Sequence, residues 1–192
     1  MTTTATLSDP NVAAALAACA APLLAFAAIF LGARRFARLS AGLSIGAVTV
    51  SLAGAVFLLA ANWHAEAPQV FSASWLVSDA VRIPVGVLLD PISLLMMTVV
   101  AVICFLVQIY SLGYMAGDPG FSRYYGFMSL FAWAMLSLTL SSSLFQLYVF
   151  WELVGLSSYL LIGFWYEKFS ASQAGKKAFV MTRAGDVAFM LG

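Results

Sequence analysis

The sequence has few charged residues. Lysine, arginine, aspartate and glutamate together make up 9% of its 192 residues, with nine basic and eight acidic side chains. A soluble domain usually carries about 25% charged residues, so a water-facing surface of ordinary size is excluded. The net charge of +1 gives no indication of a nucleic-acid partner, because such proteins need a basic surface.

Cysteine and histidine are also scarce. Cys19 and Cys104 both lie in apolar runs without CxxC spacing, and His64 is the single histidine. The two cysteines cannot hold an iron–sulfur cluster or a zinc ion between them. We therefore expect no metal, no cofactor and no catalytic redox centre on this chain, so that any redox cofactor would belong to another chain.

Apolar residues are abundant and come in long runs. They make up 63% of the chain, and the mean hydropathy is +0.98. A transmembrane helix needs ~20 such residues, so the sequence predicts an all-α polytopic membrane protein in a lipid bilayer. The predicted spans are residues 11–33, 39–63, 91–113, 124–140 and 144–166, and a sixth begins near residue 170. Because the chain stops inside this sixth apolar segment, we expect it to be a piece of a longer protein.

One stretch between the second and third spans does not fit a helix. Residues 64–84 contain Pro68 and Pro84, and the run Gln69–Val77 is rich in β-forming residues. This composition predicts a short β-hairpin on the membrane surface. The third helix has a clear start signal, because Asp90 can cap free backbone N–H groups and Pro91 suits the first helical position.

The basic residues predict the orientation. With alternating spans, seven of them fall on one side of the membrane, and only Arg82 falls on the other. The positive-inside rule places the N-terminus and the hairpin outside. The seven residues on the inner side are Arg34, Arg35, Arg38, Arg123, Lys168, Lys176 and Lys177.

Three ionisable residues lie inside apolar helices. Glu152 is ~12 Å from the start of the fifth helix, too deep for its short side chain to reach water. Arg183 and Asp186 lie three residues apart in the sixth segment and so share one face. A charge at the bilayer centre costs ~2.5–3.5 kcal/mol on insertion scales. Each of these residues therefore needs a partner or a watery cavity.

Each of these residues allows a structural or a functional interpretation. Arg183 and Asp186 fit a purely structural ion pair within one helix, or a pair of charges that takes part in ion or proton transport. Glu152 has no basic residue within fifteen positions, so a counter-ion must come from another helix. It fits a protonated hydrogen-bond donor or a titrating group in an ion or proton path. Lys176, one heptad before Arg183, fits an interfacial anchor or an extension of the polar stripe.

Several motifs resemble a known family. The stretches FWELVGLSSYLLIGFW (150–165) and KKAFVMTRAGD (176–186) are similar to the antiporter-like subunit family of respiratory complex I. This family includes subunit L of bacterial NADH–quinone oxidoreductase and mitochondrial subunit 5. The shorter runs LLDPIS (88–93), YSLGYM (110–115) and FSRYY (121–125) fit the same family.

The resemblance implies proton pumping driven by quinone reduction elsewhere in the complex. It implies that Glu152, Arg183 and Asp186 belong to the proton path, to which we add Lys176 because it extends the same polar stripe, and that a basic partner on a helix beyond residue 192 controls the charge of Glu152. Residues 1–123 would then form the first three helices with the outer loop 64–84. Residues 124–192 would begin the proton-translocation domain.

The resemblance also implies partners and a location. The chain would be a non-redox subunit of a translocase that contacts other membrane subunits of complex I, and its transported species would be protons. NADH, FMN, iron–sulfur clusters and quinone would bind other subunits. The expected location is the bacterial cytoplasmic membrane.

Two other interpretations stay open. The chain fits the large subunit of a multi-subunit sodium/proton antiporter, or of an inorganic-carbon uptake complex. It also fits a membrane scaffold without transport, in which the charged residues would serve helix packing alone.

Overall fold

The computed structural model describes residues 3–4, 6, 9–65, 67–77 and 82–191. The predominantly helical architecture expected from the sequence is confirmed. Within these residues, six α-helices and a small sheet follow one another. The helices are α1 (Pro10–Leu31), α2 (Ala37–Asn62), α3 (Pro91–Tyr114), α4 (Phe121–Thr139), α5 (Leu144–Ile162) and α6 (Phe169–Leu191), with a 3-10 turn at Ala33–Arg35 and strands β1 (Thr3–Thr4), β2 (Gln69–Val77) and β3 (Arg82–Leu89).

Short polar side chains start three of the helices. The Asp90 carboxylate accepts a hydrogen bond from the Ser93 backbone N–H at 3.2 Å, and Pro91 takes the first position of α3. This helix start is the one the sequence predicts. Asp9 caps α1 and Ser143 caps α5 in the same manner. Each cap satisfies a backbone N–H that has no partner inside its helix.

Four of the described helices, α1, α2, α3 and α5, are long and apolar enough to cross a membrane. Helices α4 and α6 are more polar, since α4 begins with Arg123 in its first turn and α6 carries Lys176, Lys177, Arg183 and Asp186. The count of five complete spans and part of a sixth therefore stays a prediction.

The sheet lies between α2 and α3 along the chain. Strands β2 and β3 pair antiparallel from Gln69 opposite Leu89 to Val77 opposite Arg82, with an irregularity between Ser74 and Leu76. The run Gln69–Val77, expected to contain the hairpin, forms only its first strand. The second strand extends past the expected boundary to Leu89. Residues 78–81, between the two strands, lie outside the described residues.

The hairpin is attached to the start of α5. The Gln146 side chain accepts a hydrogen bond from the Gly86 N–H at 2.8 Å and donates one to the Gly86 carbonyl at 2.9 Å. The Leu88 N–H donates to the Leu140 carbonyl at 2.9 Å. A side chain at Gly86 would place its Cβ 1.9 Å from the Phe71 carbonyl oxygen. Glycine is therefore required where the two strands and Gln146 meet.

The core lies among the first four helices. Buried apolar side chains from α1, α2, α3 and α4 form one continuous cluster. Beside it, the Ser44 hydroxyl lies 2.9 Å from Gln108 Oε1 and 2.7 Å from the Ser129 hydroxyl, which links α2, α3 and α4 by buried hydrogen bonds. Helix α5 packs on α4, and α6 packs mainly on α5. The four-helix core thus forms the base on which α5 and α6 rest.

We predict that Gln146→Leu lowers the thermal stability of the full-length subunit. The change removes both hydrogen bonds to Gly86 and leaves a buried N–H and a carbonyl unpaired, at a cost of about 1–3 kcal/mol for each group. Gln173→Leu in α6 is the matched control, because Gln173 is exposed. Thermal unfolding of the purified protein in detergent measures the difference, and equal melting temperatures for the two variants would contradict the attachment.

Candidate functional site

The candidate site lies where α5 and α6 cross. The two helices meet at two glycines, Gly163 just after α5 and Gly175 in α6. A Cβ built on Gly175 would lie in van der Waals contact, 3.4 Å from the Gly163 Cα and backbone nitrogen. Small residues at such a contact allow helices to pack closely. This contact sets the distance between the polar side chains further along the two helices.

Arg183 of α6 forms an ion pair with Glu152 of α5. The same guanidinium donates a hydrogen bond through Nη2 to the Glu152 backbone carbonyl at 3.2 Å. The counter-ion of Glu152 does come from another helix. The sequence analysis expects its basic partner beyond residue 192, whereas the described residues already supply one on α6.

Asp186 is held from both helices. Its side chain is 9% exposed, and its Oδ2 lies 3.5 Å from Arg183 Nη1. Its Oδ1 accepts a hydrogen bond from the Trp151 indole N–H at 2.8 Å. Arg183 thus lies between two carboxylates, one on each helix, and Trp151 secures the second of them. Trp151 is a site residue that no sequence pattern predicts, although it precedes Glu152 in the motif.

The guanidinium of Arg183 is closely surrounded by Phe179 of α6 and Gly155 of α5. Its Cζ lies 4.6 Å from the centroid of the Phe179 ring, a distance suited to a cation–π contact. A Cβ on Gly155 would come within 3.0 Å of Arg183 Nη2. Both residues escaped the sequence analysis as parts of the site, although Phe179 lies one helical turn before Arg183.

The charge balance of the site suits the binding of one cation. Two carboxylates share one guanidinium, so the cluster carries a net charge of −1 when both are ionised and becomes neutral when one takes up a proton. The side chains of Arg183 and Glu152 are 30% and 23% exposed, so they are reachable from outside the helix pair. Among the described residues, no three histidine, cysteine, aspartate or glutamate side chains lie together as a metal site requires.

Lys176 does not join this cluster. It is exposed on α6, and its seven-residue separation from Arg183 corresponds to ~10 Å along the helix. Within the part of the chain that the structure describes, it forms no ion pair. The structure therefore brings together three of the four residues predicted for the proton path, and their role stays a prediction.

Two family models match the chain over most of its second half and part of its first. Residues 75–125 match the N-terminus of NADH–ubiquinone oxidoreductase (complex I) chain 5. Residues 141–192 match the transmembrane region shared by NADH:quinone oxidoreductase and the Mrp antiporter. The chain belongs to the antiporter-like subunit family of complex I. The site between α5 and α6 lies wholly inside the second matched region.

Individual relatives agree with this family assignment. Chain 5 of the NAD(P)H-quinone oxidoreductase of Synechocystis is 44% identical over 148 residues, covering 77% of this chain and 21% of its own. Chloroplast subunit 5 of Nephroselmis olivacea is 41% identical over 155 residues, covering 81% of this chain and 24% of its own. This member of the complex I antiporter-like family thus spans under a quarter of the length of these relatives. Its apolar helices and its family make it an integral membrane protein.

A solved structure shares the fold. A chain of the membrane-bound sulfane sulfur reductase, an archaeal respiratory membrane complex, superimposes with a TM-score of 0.79. The match covers 93% of this antiporter-like chain and 36% of the archaeal one, with 18% sequence identity. At that identity the likeness supports the helix arrangement alone.

We predict that Gly155→Ala destabilises the full-length subunit. The added methyl group would lie 3.0 Å from Arg183 Nη2, so the guanidinium, which its two carboxylates hold, must shift by a few tenths of an ångström; overpacking of this kind costs about 1–3 kcal/mol. Gly46→Ala in α2 is the control, because nothing lies within 4 Å of a Cβ at that position. Alanine should stabilise the helix there by up to ~1 kcal/mol. Equal changes in the melting temperature of the two variants would argue against close packing of the Arg183 guanidinium on Gly155.

Proposed function

We propose that this chain carries part of the proton path of a complex I-type membrane complex, with Glu152 as the residue that takes up and releases the proton. The observation that supports this most is the shared guanidinium, which is ion-paired to Glu152 and lies 3.5 Å from Asp186. Family membership supports a transport role, since the matched region is common to quinone oxidoreductases and an antiporter.

A small movement of Arg183 would change the charge of Glu152. While the guanidinium pairs with Glu152, the ionised carboxylate is stabilised by the opposite charge. If the guanidinium moves fully to Asp186, Glu152 loses this stabilisation and its apolar surroundings favour the protonated form. The distance to be covered is short, because Arg183 already lies close to both carboxylates. Movement of one side chain would thus load and release one proton.

The proposal assigns this chain no redox chemistry. NADH, FMN, iron–sulfur clusters and quinone would bind other subunits, and the helices of this chain would contact neighbouring membrane subunits. Lys176 remains a candidate for the same path, one heptad from Arg183. The location proposed is the bacterial cytoplasmic membrane, with the N-terminus and the hairpin outside. The oxidoreductase relatives are named as subunits or chains of a larger complex, which supports contact with other membrane subunits.

A sodium/proton antiporter is the second candidate, because the model matching residues 141–192 also describes the Mrp antiporter. The same acidic cluster would then bind protons and sodium ions in turn. Transport by the full-length protein in vesicles separates the two. Sodium-dependent proton movement without a quinone substrate would favour the antiporter, and proton movement that requires quinone reduction would favour complex I.

We predict that Glu152→Gln in the full-length subunit leaves assembly of the complex largely intact and strongly reduces proton pumping. Glutamine keeps the shape of the side chain but cannot ionise. Glu152→Asp should retain part of the pumping, because aspartate still has a carboxylate, on a side chain about one methylene shorter. Proton uptake by proteoliposomes, normalised to assembled complex, measures the effect. If the glutamine variant pumps like the unaltered protein, Glu152 is a packing residue, and the interpretation of the chain as a membrane scaffold without transport is favoured.

We also predict opposite orientations for the hairpin and the α5–α6 connection. Ser72 and Ser170 are exposed, and each can be replaced by cysteine with little change in shape. In a background with Cys19 and Cys104 changed to alanine, a membrane-impermeant maleimide should label Ser72→Cys from outside and Ser170→Cys from inside. Labelling of both positions from the same side would refute the orientation.

A further inference from the structure

A polar cavity lies far from the α5–α6 ion pair, at the end of the bundle where the basic segments meet. Its volume is about 260 Å³. The 3-10 turn after α1, the first turn of α4 and the connection between α5 and α6 form its walls. Residues that line it include Arg34, Gly120, Ser122, Arg123, Tyr166 and Glu167.

The cavity presents positive charge from three sources. Arg34 and Arg123 approach it from different segments of the chain. Helix α4 begins beside it at Phe121, and Gly120 caps this 19-residue helix without a side-chain hydrogen bond. The N-terminus of a helix carries a partial positive charge and free backbone N–H groups, which favour anions. An anionic group would therefore be attracted from several directions.

One polar side chain that lines the cavity has no protein partner. Ser122 is 7% exposed, and its hydroxyl makes no hydrogen bond with any described residue. Because Ser122 lines the cavity, its hydroxyl can donate a hydrogen bond to a ligand bound there, and such a bond would satisfy it.

Arg123 is also held in place. Its Nη2 donates to the Phe164 carbonyl at 3.1 Å. Its Cζ lies 4.7 Å from the Phe164 ring centroid and 5.0 Å from that of Tyr166. These contacts fix the plane of the guanidinium before any ligand arrives, and a fixed guanidinium loses little entropy when it binds a phosphate.

Two carboxylates lie near these cations. Asp118 accepts hydrogen bonds from the Gly120 N–H at 2.6 Å and from the Trp165 indole at 2.9 Å. The Trp165 hydrogen bond holds the pKa of Asp118 below its ordinary value, but its oxygens are already engaged and it does not line the cavity. Glu167 lines the cavity and forms no ion pair with a described residue. It would therefore oppose an anionic ligand.

We propose that this cavity binds the phosphate group of an anionic phospholipid. Inorganic phosphate offers the same chemistry. The lipid is the expected source because the cavity lies where the apolar helices α1 and α5 end, beside the further basic residues Arg35, Arg38 and Lys168. In the proposed orientation the cavity faces the inner side of the membrane, where basic pockets between helices bind anionic lipid headgroups.

The test compares two neighbouring arginines. The full-length subunit in its assembled complex is placed in nanodiscs of phosphatidylglycerol mixed with phosphatidylcholine, and the retained phosphatidylglycerol is measured by mass spectrometry. Arg34→Gln should weaken retention about fivefold, as expected for the loss of one basic residue near an anionic lipid. Arg35→Gln makes the same change in charge next to it, but Arg35 does not line the cavity. It should therefore weaken retention much less than Arg34→Gln does.

Two further variants sharpen the result. Glu167→Gln removes the opposing carboxylate and should increase retention, whereas Ser122→Ala should decrease it without a change in charge. Equal losses for Arg34→Gln and Arg35→Gln would overturn the proposal, because they would show unspecific attraction by the basic surface. If millimolar inorganic phosphate binds with the same dependence on Arg34 while phosphatidylglycerol is not retained, the lipid source is overturned.

Discussion

The ion pair between Arg183 and Glu152 is the interaction on which the arrangement of α5 and α6 depends. Each charge inside an apolar helix costs ~2.5–3.5 kcal/mol unless it is paired, so the ion pair favours placing α5 beside α6 in a bilayer. Pairing requires that the helices come close. Gly163 and Gly175 lie at the contact, and Gly155 leaves room for the guanidinium. The small residue at position 155 is thus matched to the charged side chain that packs on it.

Helix α5 is fixed near both of its ends. At its start, Gln146 bonds to both backbone groups of Gly86 in the hairpin. Just past its end, the Phe164 carbonyl accepts a hydrogen bond from Arg123 of α4. Helix α6 has no comparable second support among the described residues and rests mainly on α5. Among the described contacts, α5 and with it Glu152 are therefore held at two points, and α6 mainly at one.

The sequence predicts those features that depend on local chemistry. The cap at Asp90 marks the start of α3, and the cost of burying Glu152, Arg183 and Asp186 singles them out. It does not predict that Glu152 meets Arg183, because partners 31 residues apart are set by how two helices cross. Lys176 shares a heptad spacing with Arg183, yet spacing alone does not show that it is exposed. The second strand was missed because Pro84 and Gly86 are typical strand breakers, tolerated here at a sheet edge that Gln146 covers.

The second carboxylate argues for a switch over a packing device. A structural ion pair needs one carboxylate for its guanidinium, and Asp186 can meet that need alone, since it lies on the same helix as Arg183 and is held by Trp151. Without Glu152 the pair would already be neutral. Glu152 is therefore the surplus acid, the one whose protonation leaves a neutral pair behind. This asymmetry favours Glu152 over Asp186 as the proton carrier that we propose.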